Sequence, residues 1–333
     1  MKVVVLHNGP RDDASTDDLD VLTQRDTVMA ALKALGHETS SLICTLDFDS
    51  LQRNLVEIQP DVVFNLVESL SGTDRLMSLP PLLLEALRMP CTGASSGAIL
   101  ASSNKLAAKQ CLRKAGLPTP DWVESSRTSD PDFAWDRSLW IIKPVWEHAS
   151  FGMDDASVFE ANDVDDLQHE LALRKQNLQR PLFAERFIEG REFNLSLLAG
   201  DVLPPAEIDF SLFPPDKPRI VGQQAKWDQD SFEYQQTPRR FDFPACDNEL
   251  VEQLQQLARA CWQLFDLAGF ARVDFRVDSN GQPWILEVNV NPCLSPDAGF
   301  AAALTQAGIS FQQAVQQIVD DAVVSVTRPC AAV

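Results

Sequence analysis

The sequence predicts a mixed α/β (α+β) chain in three parts: an open parallel sheet over residues 1–100, a small α/β unit over 101–190, and a larger antiparallel, strand-rich part over 191–333. Three observations lead there. In the first hundred residues strands alternate with helices, the pattern of a parallel sheet covered on both faces. A capped helix and a strand–loop–helix–strand run follow. Beyond Phe193 strands predominate and end in a hairpin carrying an Asn-Gly turn. A chain of 333 residues is also too long for one ordinary core, so two or three domains sharing a cleft are expected.

Each element has a local reason. Lys2–Leu6 (KVVVL) is a β-branched run ending in Asn8-Gly9-Pro10, a strand and its turn. Leu22 to Leu35 has helical spacing and stops at Gly36, a C-terminal cap position. Asp61–Leu66 reads as a second strand, followed by a helix around Leu79–Leu87 and a turn at Cys91-Thr-Gly93. Ser102-Ser103-Asn104 cap a helix from Lys105 to Ala115, closed by Gly116, Pro118 and Pro120. Leu139–Lys143 is a strand leading into a loop from Pro144 to Gly152. A helix over Asp163–Asn177 and a strand over Leu182–Phe187 complete the second part. Phe213 to Pro244 is a Pro-rich polar stretch of roughly thirty residues, a length that inside a compact domain is functional or disordered. A helix over Glu249–Leu267 precedes the hairpin, whose turn is Asp278-Ser-Asn-Gly281.

Composition excludes several classes of partner. The formal charge is −20, so nucleic acid and anionic membrane surfaces are repelled by the long-range field. No run of apolar residues is long enough to span a bilayer, and the N-terminus moves from one short strand into a turn, unlike a signal peptide. The seven cysteines are scattered without metal-ligand spacing, as expected of small buried hydrophobes in a reducing cytoplasm. The C-terminal Cys330-Ala-Ala-Val333 has the outline of a prenylation box, but it ends in Val and no polybasic run precedes it.

The strongest chemical signal is the hairpin. Arg272, Asp274 and Arg276 alternate along its first strand, and Glu287 and Asn289 share a face of the second. A turn at Asn280-Gly281 puts Asp274 and Glu287 near register, so two carboxylates and an amide oxygen converge. Such hard oxygens suit Mg²⁺ (or Mn²⁺), which takes its remaining ligands from phosphates and water. The bland alternative is a solvated charged face, and the apolar Trp284-Ile285-Leu286 and Val288 argue against it. Lys143 ends an apolar strand before the loop containing Ser150 and Gly152, where a lysine and backbone amides can hold phosphates; lysines also end strands for no such reason. Lys105 lies in the first turn of its helix, against the helix dipole, and so calls for a nearby anion. Glu185 and Glu192 flank a tight turn at Gly190, which reads either as a solvated acidic turn or as a linker offering amides to a purine and a carboxylate to a ribose.

In order and spacing these parts resemble the ATP-grasp superfamily and, within it, the D-alanine:D-alanine ligases, from Lys2 to about Val324. The likeness is carried by Pro90-Cys-Thr-Gly93 with Ser103-Asn-Lys105, by Gly116-Leu-Pro-Thr-Pro120, and by Ile142-Lys-Pro144 with Ser150-Phe-Gly-Met153. It continues through Glu185-Arg-Phe-Ile188 with Gly190-Arg-Glu-Phe193, Gln224-Ala-Lys-Trp227, Gly269-Phe-Ala-Arg-Val-Asp-Phe275, Leu286-Glu-Val-Asn289 and Ala307-Gly-Ile-Ser-Phe311. The resemblance implies a three-domain ATP-grasp fold and a homodimer formed through the N-terminal part. It implies that Lys105 and Lys143 contact ATP phosphates and that Ser150 belongs to the loop covering them. Glu185, Arg186 and Ile188 would frame adenine and Glu192 the ribose, and Lys226 would close over the γ-phosphate. Asp274, Glu287 and Asn289 would bind Mg²⁺, and Arg272 would contact the substrate and stabilise the transition state.

The implied reaction is ligation of a carboxylate to an amine through an acyl phosphate, with release of ADP and phosphate. The substrate half departs from the family pattern. In the family a short Gly-Gly turn leads to a Ser-Ala-Glu segment; here the loop from His7 to Asp20 is longer and has no glutamate, leaving Asp17, Asp18 or Asp20 in its place. Glu68 stands where those ligases have a histidine, and Ser-Pro-Gly-Met-Thr becomes Asn291-Pro-Cys-Leu-Ser295, with Cys293 in place of Gly and Ser295 near the position of a substrate-binding Ser. The expected substrates are therefore amino acids or small carboxylates that need not be D-alanine. A carboxylate kinase, a ligase with a non-amino-acid acceptor and a nucleotide-binding protein without turnover are the alternatives.

Overall fold

In the computed structural model residues 1–9, 16–124, 127–128 and 138–327 are described, with backbone alone at 16–18, 127–128 and 325–327. The side chains of Asp17 and Asp18, and the tail from Cys330 to Val333, lie outside that description. The described residues form three sheets.

The first is parallel. Strand β1 (Lys2–Asn8) lies between β2 (Glu38–Cys44) and β3 (Val62–Leu66). Alternate residues of β1 enter different cores. Val3 and Val5 pack with the helices Thr16–Ala34 and Phe311–Thr327, while Val4 and Leu6 pack with Leu51 and Leu55 of the helix Phe48–Ile58. This is the two-sided burial expected of a parallel sheet. Its core runs on into the C-terminal part, since Phe300 and Val315 belong to the same cluster as Val3 and Phe64.

The second sheet runs β5-β4-β8-β6-β7, all antiparallel, with β4 (Trp122–Glu124), β5 (Arg127–Thr128), β6 (Leu139–Pro144), β7 (Val158–Glu160) and β8 (Leu182–Arg186). Leu167 and Leu171 of the helix Val164–Leu178 cover Trp140, Ile142 and Ala184 on one face. Asp163 caps that helix, accepting from the Asp166 amide.

The third sheet runs β12-β11-β9-β13-β14, with β10 beside β9. Its strands are β9 (Arg191–Leu198), β10 (Asp201–Val202), β11 (Ala206–Ile208), β12 (Arg239–Arg240), β13 (Phe270–Val277) and β14 (Pro283–Asn289). Phe193, Leu195, Ala271, Val273, Phe275, Ile285 and Val288 face a core shared with Leu254, Ala258 and Cys261 of the helix Asn248–Leu264. Ala98, Ala108 and Leu112 of the helices Ser96–Ser103 and Lys105–Lys114 join it. The other face of β13 and β14 is polar and turns toward a cleft.

Several elements differ from the sequence expectation. The first helix begins at Thr16, not Leu22. Strand β2 has no apolar run to announce it, because as an edge strand it is buried fully only at Cys44. Helix Ser96–Ser103 hides in residues that read as a cap, yet Ser102 returns its hydroxyl to the Ala98 carbonyl. The Pro-rich stretch contains the short helices Gln223–Trp227 and Phe232–Gln235 as well as β12. Among the described residues no helix is long and apolar enough to cross a membrane.

Candidate functional site

The hairpin places its polar side chains as the spacing requires. Asp274 pairs with Glu287 and Arg272 with Asn289 across the ladder. A bulge between Asp274 and Phe275 lets one extra residue, Leu286, enter the return strand. Without it, strict alternation would put Ile285 and Glu287 on one face. With it, Ile285 is buried in the core while Glu287 and Asn289 line a cavity of about 830 Å³.

At the hairpin end of the cavity Arg272 grips Asp274 with both arms, Nε to Oδ1 at 2.7 Å and Nη2 to Oδ2 at 2.9 Å. Asn194 of β9 also donates to Asp274, at 2.8 Å. Burial opposes the Arg272 charge, but Asp274 and then Glu287 outweigh it and raise the guanidinium above its ordinary range. Glu287 accepts from His148 Nδ1 at 2.5 Å and lies 3.5 Å from Lys105 Nζ. Burial alone would raise the Glu287 carboxyl, yet Lys105 and His148 hold it well below the usual carboxylate range. Lys105 thus has the anion that its place in the first helical turn called for, and it also donates to the Glu147 carbonyl at 2.7 Å.

A second ionic group runs from the cavity wall into the protein. Glu185, 1% exposed, sits between Lys143 at 2.6 Å and Lys109 at 2.5 Å. Burial raises its carboxyl, but the two ammonium groups prevail and lower it. Lys109 is itself fully enclosed, and burial pulls its ammonium down to about 8 against the opposing pull of Glu185. Lys109 also donates to Thr119 Oγ1 and to the Pro120 carbonyl, at 2.7 and 3.0 Å. Arg186, the last residue of β8, and Ile188 beyond it line the cavity. Glu192 lies there too, paired with Arg276 at 2.8 Å.

The turn between β8 and β9 depends on Gly190. Its φ is +142°, and a Cβ there would fall 2.0 Å from the Val277 carbonyl oxygen. Gly190→Ala is accordingly expected to destabilise the fold by at least about 3 kcal/mol, from strain plus a backbone collision that no rotamer relieves. A melting temperature within a degree of the parent would refute this.

Two loops meet over the cavity. Ser150 donates to the Val221 carbonyl at 2.6 Å, Trp227 Nε1 to the Ala149 carbonyl at 3.3 Å, and the Gln223 amide to the Met153 carbonyl at 3.0 Å. Ala149 and Ser150 both have positive φ, 56° and 61°, which for non-glycine residues marks a backbone held by its surroundings. Lys226 faces the cavity from the second loop. Burial lowers its ammonium and the Arg272 charge adds to the effect, with Glu287 and Asp274 opposing.

Of the five residues assigned to substrate, Asp20, Glu68, Cys293 and Ser295 come together at another corner of the cleft, while Arg272 stays on the hairpin. Asp20 accepts from Ser295 Oγ at 2.6 Å, from Cys293 Sγ at 3.0 Å and from Gln24 Nε2 at 3.1 Å. The same Gln24 nitrogen donates to Glu68 at 2.8 Å, and its carbonyl accepts from the Leu294 amide at 2.9 Å. Asp20, Glu68 and Cys293 line the cavity, whereas Ser295 is 1% exposed and supports Asp20 from behind. Burial, with Glu68 and Asp20 nearby, raises the Cys293 thiol well above its ordinary range, so it stays a protonated donor.

Sequence reasoning did not single out Lys109, His148, Gln24 or Asn194. Lys109 carried a usable signal, lying four residues beyond Lys105 in one helix, and His148 lies in a loop already marked. Gln24 and Asn194 had none, because Gln24 meets Leu294 and Asn194 meets Asp274 across 270 and 80 residues of sequence.

The cavity brings carboxylates and cations together at one end of a long cleft, an arrangement able to hold a polyanion beside two smaller molecules. A family model described as D-ala D-ala ligase C-terminus matches residues 112–320. A D-alanine–D-alanine ligase of Aquifex aeolicus is 30% identical over 321 residues, covering 96% of this chain and 100% of that protein. One from Methylococcus capsulatus is 31% identical over 299 residues, 88% of each. The crystal structure of D-alanine–D-alanine ligase from Bacillus anthracis complexed with ATP shares the fold with a TM-score of 0.72 at 21% identity, covering 98% of both chains. With sequence likeness running through nearly its whole length, and through the hairpin and cleft just described, the chain belongs to the D-alanine–D-alanine ligase family.

Proposed function

We propose that this chain is an ATP-dependent, ADP-forming ligase that joins a carboxylate to an amine through an acyl phosphate, acting on amino acids or on an amino acid and a small carboxylate, as a D-alanine:D-alanine ligase or a specialised relative. One observation carries the reading: Lys105, Lys143 and Lys226 line the same cavity as Arg272, Asp274, Glu287 and Asn289. Negative charge grows on transferred oxygens when a phosphoryl group leaves ATP and again when an amine attacks the acyl phosphate. Preorganised cations in a cleft stabilise that charge far better than water does.

Within this reading Lys105 and Lys143 hold phosphates, and Lys226 closes over the terminal one. Arg272, already oriented by Asp274, stabilises the tetrahedral oxyanion. Arg186, Ile188 and the backbone near Glu185 frame the adenine, Glu192 takes the ribose, and Asp20, Glu68 and Cys293 face the substrates. Ser150 ties its loop to the second loop, which excludes water from a readily hydrolysed acyl phosphate.

The donor set on the hairpin fits Mg²⁺, or Mn²⁺. Among the described residues no group of three His, Cys, Asp or Glu side chains could enclose a metal. Two carboxylates and an amide suit instead a hard cation that takes several ligands from phosphate and water. When bound, such an ion neutralises charge on the phosphate oxygens. Glu287 also lies against Lys105 and His148.

The proposal keeps the division at residues 100 and 190, each sheet falling within one part. It also keeps a cytoplasmic enzyme of small molecules, without nucleic-acid or membrane partners, that forms a homodimer through the N-terminal part. Ile43, Leu46 and Val56 are exposed there and support such an interface. ADP release should require a carboxylate and an amine together. Release with carboxylate alone, plus a trapped hydroxamate, would make the chain a carboxylate kinase, and no release with any pair would make it a binding protein.

A further inference from the structure

Consecutive residues of the N-terminal part, beyond β3, reach across to the central part. The Gly72 carbonyl accepts from Arg180 Nη2 at 3.0 Å, and Thr73 Oγ1 donates to the Glu147 carboxylate at 3.4 Å. Asp74, which opens the short helical turn Asp74–Leu76, accepts at Oδ2 from the His148 backbone amide at 2.7 Å. The Arg75 guanidinium lies 5.6 Å from the centre of the Trp146 ring. Trp146, Glu147 and His148 are successive residues of the loop between β6 and β7, and Arg180 stands just before β8. Contacts repeated at successive positions fix the course of that loop as well as its place.

The loop held in this way is the one that faces the cavity and carries Ala149 and Ser150 at positive φ. Beyond His148 it is tied to the second loop through Ser150 and Met153. Ahead of those ties its anchor is Asp74. A carboxylate accepting a backbone N–H forms a charge-assisted bond, stronger and more directional than a neutral one. The His148 side chain then reaches Glu287 at 2.5 Å, so this one residue joins the N-terminal part, the central part and the hairpin. The substrate corner has a separate support. Glu68 lies earlier in the same connection after β3, and its backbone amide donates to Asn8 Oδ1 at 3.1 Å.

We infer that Asp74 is a positioning residue for the nucleotide: through the His148 amide it holds the cavity-facing loop in the shape that receives phosphates. This rests on the ligase reading above, which sets ATP phosphates against that loop, and it adds a residue of the N-terminal part to their support. A loop ordered beforehand does not charge its ordering entropy to the binding step.

The test uses the full chain. Calorimetry follows binding of the non-hydrolysable ATP analogue adenylyl imidodiphosphate with Mg²⁺, and ADP release gives KM for ATP and for the amino-acid substrates. Asp74→Ala should weaken analogue binding and raise the ATP KM about tenfold, with the amino-acid KM within about twofold of the parent. Asp74→Asn keeps an oxygen able to accept from the His148 amide and should stay within about threefold of the parent for the nucleotide. Arg75→Ala changes the same seam at an exposed residue outside the cavity and should weaken analogue binding about two- to fivefold. Unchanged analogue affinity in Asp74→Ala would overturn the inference. So would an Asp74→Asn variant as impaired as Asp74→Ala, since charge and not the hydrogen bond would then matter. Equal rises in the KM for ATP and for amino acids would mark a general loosening and overturn it too. Should Asp74→Ala fail to fold, unchanged analogue affinity in Arg75→Ala would decide against it. A parent that binds the analogue but releases no ADP with any pair would overturn the ligase reading, and the calorimetry would then judge Asp74 by itself.

Discussion

Glu287→Gln is expected to reduce ligation, measured as ADP release with both substrates, by at least about a thousandfold. The side chains are nearly isosteric, so the change removes charge and little else. In the folded chain that charge faces Lys105 and His148 directly and Lys226 and Arg272 at longer range. A neutral amide leaves Lys105 without its anion and takes a charged oxygen from the candidate Mg²⁺ position. The loss should fall on kcat, because the interaction is worth most when charge develops on the transferred phosphoryl oxygens. The fold should survive, since the amide oxygen still accepts from His148 and the β13–β14 ladder is unaffected. Near-normal turnover in Glu287→Gln would remove Glu287 from the chemistry. A collapse of the melting temperature would show that its role is structural.

Lys109→Met should lower stability by about 3–5 kcal/mol. The methionine fills similar space, so the effect is electrostatic. It leaves the Glu185 carboxylate with Lys143 as its one remaining ionic partner of the two, at a place where the side chain is 1% exposed. Removing one partner of a buried ion pair is far more damaging than removing the pair. The double variant Lys109→Met/Glu185→Gln should therefore regain most of the loss, which denaturant unfolding of the four proteins in the cycle would measure. A functional consequence follows from the same geometry. With Lys109 gone, Glu185 binds Lys143 more tightly, and the KM for ATP should rise about tenfold if Lys143 must turn to phosphates. A double variant no more stable than Lys109→Met would show that Glu185 is not what Lys109 supports.

The elements with a strong local pattern were legible in the sequence. The alternation in KVVVL, the helix capped by Asn104 and the hairpin all lie where the pattern puts them. Weakly patterned elements were not. Strand β2 pairs along its full length with β1 but presents polar residues to solvent, so no periodicity distinguishes it from a loop. The site divides in the same way. Spacing alone brought Arg272, Asp274, Glu287 and Asn289 together, because the hairpin that joins them is local. Asp20, Glu68, Cys293 and Ser295 entered through likeness to a family, and their meeting through Gln24 is a product of folding over long sequence distances.

The sequence by itself determined the alternation of residue types that makes β13 a strand with one apolar and one charged face. It also determined the family, and with it the order of cations and acids along the cleft. Tertiary structure decided how those charges are answered. The bulge at Leu286 turned Ile285 and Glu287 to opposite faces, a step that a two-residue period does not contain. Packing of the helix Lys105–Lys114 against β8 enclosed Lys109 and Glu185 together. Side-chain period is a local property of the backbone, whereas ion pairing depends on which distant residues the cores bring within a few ångströms.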